Sequence, residues 1–216
     1  YIPVRPTQHY SMGGIRTDYR GESPTLRGLF ACGEVACWDL HGFNRLGGNS
    51  VAETVVAGML AGEYIADCCN SAEGHINLST TLAQDCLNQQ THYLDGLLAG
   101  AGNEDPVAIR RDMEHILTEQ VGIFRSGPEL EQACAELAAL YQRSLTLRVD
   151  CRARGANPEL VLAYRLPRML MIALAVARGA LARTESRGAH YRVDYPERND
   201  RDWLNRTLYQ WDTEHH

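Results

Sequence analysis

The chain has 216 residues, of which 44% are hydrophobic, and a formal net charge of −6. This length suffices for one or two domains with a sizeable core, and the negative charge argues against a broad nucleic-acid-binding surface. The seven cysteines form no CxxC pair and lack the grouped spacing of iron–sulfur ligands. They predict free thiols in a reducing compartment and no metal site. The longest apolar run, residues 169–177, is far shorter than the roughly 20 residues that span a bilayer, so no transmembrane segment is expected.

Short strand-like runs characterise the first part of the chain. Residues 15–17 predict a short strand, and residues 29–32 form an unbroken apolar run that is typical of a strand buried on both faces. The second run ends in Gly33 and Glu34. Ligands of open α/β sheets bind beyond the carboxyl ends of strands, so the Glu34 carboxylate is a candidate acceptor for ribose hydroxyls. The alternative is a buried strand that ends in an exposed turn.

A glycine-rich turn then leads into a helix predicted over residues 51–69. Asn49 or Ser50 is the expected N-cap of this helix, whose start carries free N–H groups and partial positive charge that suit an anionic ligand edge. The glycine pair at 47–48 allows a flat ligand to approach the backbone. Arg45 is placed to bind a carboxylate with two parallel hydrogen bonds. A glycine turn before a core helix, with a surface arginine, is the alternative.

Helical periodicity dominates from about residue 77 onward. Proline follows a capping residue at two predicted helix starts, and Ser-Gly-Pro marks a third. Pro167 predicts a kink or break near residues 164–166, and the segment after it is apolar nearly all round, which predicts the central helix of a bundle. The predicted helices cover residues 78–98, 106–121, a segment that starts at 126–129, and 158–184.

Two further segments are open to more than one interpretation. Residues 184–192 are polar, glycine-broken and aromatic, and they form either a solvated loop or a segment inserted into another domain. Residues 203–211 contain two tryptophans and predict a short helix or strand. His9, which precedes a Met-Gly-Gly turn, lies either at the edge of a cleft or in an ordinary structural or surface position.

Four motifs stand in order along the chain: HYSMGG at 9–14, GLFACGE at 28–34, HGFNRLGGNS at 41–50 and ESRGAHY at 185–191. Together they closely resemble the C-terminal half of the fumarate reductase and succinate dehydrogenase flavoprotein subunit, and residues 37–43 look most like the menaquinol-linked fumarate reductases. The resemblance implies an α+β fold: the end of an FAD-binding α/β domain over 1–76, a mainly helical bundle domain over 77–187, and an extension over 188–216 that packs back on the other domains.

The same resemblance implies roles for individual residues and partners. Fumarate and succinate would be interconverted by hydride transfer with N5 of FAD, and electrons would be exchanged with an iron–sulfur subunit and a membrane quinone-binding subunit. The protein would lie in the cytoplasm, attached peripherally to the membrane through those partners. The implied dicarboxylate ligands are His9 and Arg45, and the implied FAD contacts are Glu34, Asn49, Ser50 and Val51.

Several parts of such an enzyme are missing from this sequence. It contains no GxGxxG motif for the FAD phosphates, and the family's covalent flavin histidine, proton-donating arginine and capping domain are expected upstream. We therefore expect the isolated chain neither to bind FAD tightly nor to turn over. His41 and residues 185–191 are interpreted as structural, the latter as an internal ion-pair network. The alternatives are an L-aspartate oxidase-like flavoenzyme and a helical module that docks partner subunits.

Overall fold

The computed structural model describes residues 2–3, 9–71 and 79–210. The chain divides into two compact units, Tyr1–Leu78 and Ser79–His216. The fold is α+β with a mainly helical second unit, as predicted. The expected domain boundary at residues 76 and 77 and the terminal Trp211 lie outside the described residues.

The first unit combines two short parallel strands with one long helix. Strand β1 (Ile15–Arg16) pairs in parallel with β2 (Ala36–Cys37), and the chain between them includes a short 3-10 turn at Gly33–Val35. The predicted strand over residues 29–32 is wrong. Phe30 forms only an isolated bridge with Glu22, because this run belongs to a tight loop whose backbone hydrogen bonds connect residues 18–31 with one another.

Helix α1 (Asn49–Asn70) packs on that loop through small side chains. Ala57 and Ala61 are buried, and a Cβ at Gly21 would lie 3.3 Å from the Cβ of Ala61. These small side chains therefore allow the loop to approach α1 closely. The large apolar side chains of α1 are mostly exposed in contrast, and they include Val51, Val55, Val56 and Met59.

The second unit is a bundle of four long helices with short additions. Its core is drawn mainly from α3, α4 and α5 and from residues 121, 147 and 149, with Leu97 of α2 at its edge. Strands β3 and β4 pair in parallel, Phe124 with Tyr191 and Arg125 with Arg192. The elements are α2 (Thr80–Ala99), α3 (Pro106–Gln120), β3 (Phe124–Arg125), α4 (Gly127–Arg143), α5 (Pro158–Ala182), β4 (Tyr191–Arg192) and α6 (Asp200–Trp203).

The long helices of this unit begin where local capping chemistry predicts. The cap side chain of each accepts a hydrogen bond from a backbone N–H in the first turn, which satisfies a donor that has no partner within the helix. The acceptors are Ser79, Asp105, Ser126 and Asn157, at distances between 2.8 and 3.4 Å.

Helix α5 is the centre of the bundle, as predicted, because α2, α3 and α4 all contact it. It runs without interruption through Pro167, so the predicted break does not occur. Since Leu166 and Pro167 are buried in the core, packing offsets the backbone hydrogen bond that proline removes. By length and composition α5 is the one helix among the described residues that would be able to cross a membrane, but a core helix of a folded domain has the same composition.

An ion-pair network follows α5 and closes the second unit. The Glu185 side chain has no exposed surface and accepts bonds from Arg183 at 2.6 Å and from Arg187 at 2.7 and 2.9 Å. The backbone N–H of Asn199 adds a fourth bond at 2.8 Å. Burial alone would raise the pKa of Glu185, but the bonds from Arg187, Asn199 and Arg183 outweigh it and lower this pKa to about 2. The segment is therefore a buried network rather than a solvated loop.

A second cluster ties the same segment to the ends of two helices. Arg192 is 2% exposed, donates to the carbonyls of Ala180 and Leu181 at 3.0 and 2.9 Å, and pairs with Asp194 through two bonds of 2.8 Å. Asp194 also accepts the N–H of Gly127 at the start of α4 at 2.9 Å. The last carbonyls of α5 and the first N–H of α4 are thus satisfied by one ion pair.

His190 lies between these two groups as a neutral imidazole. Its Nδ1 is 2.7 Å from an Arg125 amino group, which can only donate, and its Nε2 is 3.2 Å from the carbonyl oxygen of Arg183. This pattern assigns the ring proton to Nε2. Burial lowers the pKa of His190, and the positive charges of Arg125, Arg192 and Arg183 lower it further, although the bond to the Arg183 carbonyl opposes the shift.

Candidate functional site

The loop at residues 9–14 docks on the 3-10 turn of the first unit. The backbone N–H of Ser11 donates to Oε1 of Glu34 at 2.7 Å. Gly14 has φ 130°, and a Cβ there would collide with the backbone carbonyl of Val35, so only glycine allows this approach. Two of the predicted motifs, HYSMGG and GLFACGE, therefore meet in the structure.

The same loop contacts the third motif through an arginine. The guanidinium carbon of Arg45 lies 4.4 Å from the centre of the Tyr10 ring, and its Nε donates to Oγ of Ser50. Ser50 is buried in the first turn of α1. The terminal amino groups of Arg45 make no hydrogen bond or ion pair with the described residues, which leaves its fork available for a carboxylate.

The start of α1 differs from the predicted cap. Gly48, with φ 82°, is the N-cap, and no side chain caps the helix, so the predicted Asn49 or Ser50 cap is wrong. The left-handed turn at Gly48 starts the helix at Asn49, two residues before the predicted start at residue 51, and places Asn49 and Ser50 inside the first turn. Within the described part of the chain, the N–H of Asn49 bonds to the Leu46 carbonyl at 3.1 Å. The N–H groups of Ser50 and Val51 find no partner there and suit an anionic ligand edge.

Open backbone surrounds this helix start. A Cβ built on Gly13, Gly47 or Gly48 would meet no atom within 4 Å. Leu46 and Val51 beside it are 76% and 72% exposed. Free N–H groups next to bare backbone and apolar side chains match the requirements of a flat ring with a polar edge.

A buried hydroxyl without a partner lies in the same cluster. The Tyr10 hydroxyl oxygen has no accessible surface and makes no hydrogen bond among the described residues. A buried polar group without a partner is costly, so a polar atom of a ligand or of another chain segment would stabilise it.

The two histidines of this region have different environments. His9 is exposed and adjoins Tyr10, so it lies next to the arginine cluster in sequence. His41 is mostly buried, and its Nε2 lies 3.3 Å from Oε2 of Glu53 on α1. That contact holds the turn before Arg45 to the helix and agrees with a structural role for His41.

The structure therefore brings together loop 9–14, Glu34, Arg45 and the start of α1. Sequence reasoning missed Tyr10 and Ser11, which make the contacts between the motifs, although both lie inside the HYSMGG motif. Residues 2–3, 9–71 and 79–210 contain no group of three metal-ligating side chains.

Comparison with known protein families assigns both parts of the chain. Residues 110–216 match the family model described as fumarate reductase flavoprotein C-term. Residues 1–51 match the FAD binding domain, and this second match covers every candidate site residue.

Individual relatives agree with these families. The chain is 52% identical to the fumarate reductase flavoprotein subunit of Helicobacter pylori over 98% of its own length and 29% of the relative's. It is 32% identical to the mitochondrial succinate dehydrogenase flavoprotein subunit of Oryza sativa over 99% of its length and 35% of the relative's. The chain thus spans about a third of the length of the curated relatives it matches.

Solved structures give the same assignment. A mutated E. coli quinol fumarate reductase FrdA superposes with a TM-score of 0.87 and 38% identity, covering 94% of this chain and 34% of that one. A quinol–fumarate reductase with menaquinol molecules gives a TM-score of 0.85 and 40% identity, covering 94% and 35%. On the motifs, the fold and these matches, the chain belongs to the fumarate reductase and succinate dehydrogenase flavoprotein family, of which it carries the C-terminal part.

Proposed function

We propose that this chain is the C-terminal part of a flavoprotein subunit that interconverts fumarate and succinate with FAD. The observation that carries the proposal is the cluster in which loop 9–14, Glu34, Arg45 and the start of α1 come together. The reaction needs a dicarboxylate and a flavin at one place. This cluster offers a free guanidinium fork beside an open helix start.

The residues present fit one edge of FAD. The free N–H groups of Ser50 and Val51 supply donors for negative charge at the ring, and Asn49 stands beside them in the first turn of α1. Bare backbone at the 47–48 glycine pair gives the ring room to approach. Glu34 uses Oε1 for Ser11, and we assign its other oxygen to a ribose hydroxyl of FAD.

We assign the dicarboxylate to Arg45 and His9. The amino groups of Arg45 bind one carboxylate in the bidentate manner that suits a planar guanidinium. His9, exposed at the edge of the same loop, donates to the other carboxylate. Bound FAD supplies the hydride acceptor and donor, while Arg45 and His9 hold the alkene in register and neutralise the charge that develops on its carboxylates.

The proposed domain organisation explains why one cluster holds only part of a site. We propose that residues 1–76 are the end of an FAD-binding domain, residues 77–187 a helical domain, and residues 188–216 an extension. The exposed apolar face of α1, which includes Val55 and Met59, supports packing against further parts of the FAD domain. The proton donor and the phosphate-binding segment then belong to the preceding part of the flavoprotein.

An absorbance spectrum tests the expected behaviour of the isolated chain. We expect the purified chain, incubated with FAD and then desalted, to show no stoichiometric flavin band, because it holds only a minority of the FAD contacts. A flavin band close to one equivalent would contradict this expectation. The full-length flavoprotein that contains this chain is the positive control.

The reaction itself is tested in that full-length flavoprotein. With a reduced viologen as electron donor we expect fumarate reduction, and Arg45→Gln lowers kcat/KM for fumarate at least tenfold because a charged bidentate contact is lost. Arg20→Gln is the matched control, since Arg20 also stacks on a tyrosine of the first unit but lies outside the cluster. Activity with L-aspartate and none with fumarate would instead identify an L-aspartate oxidase.

We further propose that the subunit works in the cytoplasm at the membrane surface, through an iron–sulfur subunit and a membrane quinone-binding subunit. The first half of α2 supports a docking role, because two large apolar side chains, Leu82 and Leu87, are exposed on it. A pull-down of the iron–sulfur subunit with the full chain, and with Leu82 and Leu87 both replaced by aspartate, tests this surface. Equal capture by both proteins would exclude α2 as the contact.

A further inference from the structure

We propose that Tyr10 is a positioning residue for Arg45, whose ring holds the guanidinium in a binding-ready orientation before the dicarboxylate arrives. This inference rests on the proposed function of Arg45 as a carboxylate ligand and adds a residue to which no role has been assigned.

Arg45 is fixed on two sides by different parts of the first unit. Its guanidinium carbon lies over the Tyr10 ring, 4.4 Å from the ring centre. Its Nε donates to the buried Oγ of Ser50 in α1. A guanidinium has five N–H donors in a planar fork, and among the described residues only the Nε donor is used in a hydrogen bond, which leaves both terminal amino groups.

The turn that carries Arg45 explains why such support is needed. Gly42 and the glycine pair at 47–48 flank the arginine, and glycine gives a backbone more conformational freedom than any other residue. An arginine on such a turn would have to be ordered by the ligand, at the expense of affinity. The Tyr10 ring, delivered by a loop that is docked on Glu34 through Ser11, orders Arg45 beforehand.

The contact with the Tyr10 ring also determines which donors of Arg45 remain for the ligand. The ring attracts the cation through its π face and makes no hydrogen bond to it, so no donor of the fork is consumed by this support. A carboxylate or amide partner in the place of Tyr10 would occupy one of the terminal amino groups. Because the ring contact and the Nε bond leave both terminal amino groups of Arg45 unused, these groups can bind one carboxylate through two hydrogen bonds.

A second arginine–tyrosine pair of the same unit provides a matched control. Arg20 lies 5.2 Å from the centre of the Tyr19 ring, and Tyr19 is exposed. Both pairs place a guanidinium carbon over a tyrosine ring, although Arg20 also donates from Nε to the Tyr19 hydroxyl at 2.9 Å. Tyr19 and Arg20 belong to the loop that follows β1, and within the described residues they make no hydrogen bond or ring contact with Arg45 or Ser50.

The experiment uses the full-length, FAD-loaded flavoprotein and malonate, a dicarboxylate that cannot be reduced. Malonate affinity is titrated by the change in the flavin absorbance spectrum, and the same spectrum reports flavin occupancy. We expect Tyr10→Leu to weaken malonate binding about five- to thirtyfold, the range of a partly to fully desolvated cation–π contact. Tyr10→Phe, which keeps the ring, recovers most of that loss, and Tyr19→Leu leaves the affinity at the wild-type value.

A double-mutant cycle separates positioning from a general structural effect. In an Arg45→Gln background, Tyr10→Leu is expected to cause no further loss, because the group that it positions is gone. Additive losses would overturn the proposal, as would wild-type malonate affinity in flavin-loaded Tyr10→Leu. Should Tyr10→Leu fail to load flavin, Tyr10→Met is measured in its place under the same criteria.

The outcomes for the proposed function are distinct from these. If the wild-type flavoprotein does not bind malonate, or if Arg45→Gln binds it as well as wild type, the proposed function is wrong. If Arg45→Gln weakens binding and Tyr10→Leu does not, only the role of Tyr10 is wrong.

Discussion

Replacing Glu185 by glutamine removes the central negative charge of the network that closes the second unit. The wild-type carboxylate is fully buried and accepts four hydrogen bonds, three from Arg183 and Arg187 and one from the backbone of Asn199. Glutamine has the same shape, so the substitution opens no cavity. It places an NH₂ group against guanidinium donors, leaves the buried Arg183 without its carboxylate partner, and leaves Arg187 with Asp200 as its counter-ion.

The expected cost follows from these contacts. Hydrogen bonds to a charged group contribute about 1.5–3 kcal/mol each, but bonds to one carboxylate are not additive. Removing one partner of a buried ion pair costs about 3–5 kcal/mol, because the remaining charge stays buried without compensation. We therefore expect Glu185→Gln to lower the unfolding free energy by about 3–5 kcal/mol at pH 7, a large part of the stability of an ordinary domain.

The pH dependence gives the same prediction a second signature. The pKa of Glu185 is lowered to about 2 in the folded chain, while an unfolded glutamate titrates near 4.3. Stabilisation by this carboxylate is thus fully present above about pH 4.3 and is lost as the pH falls towards 2. The difference between wild type and Glu185→Gln should shrink across that window.

Urea unfolding followed by circular dichroism at 222 nm measures both effects, since most helical residues lie in the second unit. Glu114→Gln is the matched control: it removes an exposed i,i+4 pair with Arg110, which contributes at most about 0.5 kcal/mol. The reasoning is refuted if Glu185→Gln changes stability no more than Glu114→Gln, or if its effect is the same at pH 7 and pH 2.

Three further changes have defined expected outcomes. Leu137→Ala, at a fully buried site of the helical core, should cost about 2–5 kcal/mol in the same urea assay; a cost below 1 kcal/mol would contradict the packing described. Because the pKa of His190 is lowered on folding, its contribution to stability is present above the unfolded value near 6.5 and declines below it. Part of the loss of stability between pH 7 and 5 should therefore disappear in His190→Gln, and an unchanged pH profile would argue against the neutral imidazole. Gly14→Ala should undock loop 9–14, because its Cβ collides with the 3-10 turn. Hydrogen exchange of the Ser11 amide should then accelerate, whereas Gly47→Ala, which meets no atom, should leave that rate unchanged.

The starts of the long helices in the second unit were predictable from sequence because helix capping is local. A cap such as Ser79 or Asp105 bonds to an N–H within three residues, so both partners lie in one short window of sequence. The central position of α5 was equally readable, since a helix that is apolar nearly all round must be buried. Of the kink or break predicted at Pro167, the break does not occur. The local backbone cost of proline is visible in the sequence, whereas the packing that offsets it is not.

Four motifs determined the family, and with it FAD and the dicarboxylate as expected ligands, without any structure. What only the tertiary structure decided is how those motifs meet. The Tyr10–Arg45 stack and the Ser11–Glu34 bond join residues 35 and 23 positions apart, and Arg125 meets His190 across 65 positions. No periodicity or spacing encodes such contacts, because they depend on how the loops pack after the helices and strands have formed. The sequence therefore predicted Arg45 as a carboxylate ligand, and only the fold shows that the Tyr10 ring lies against it.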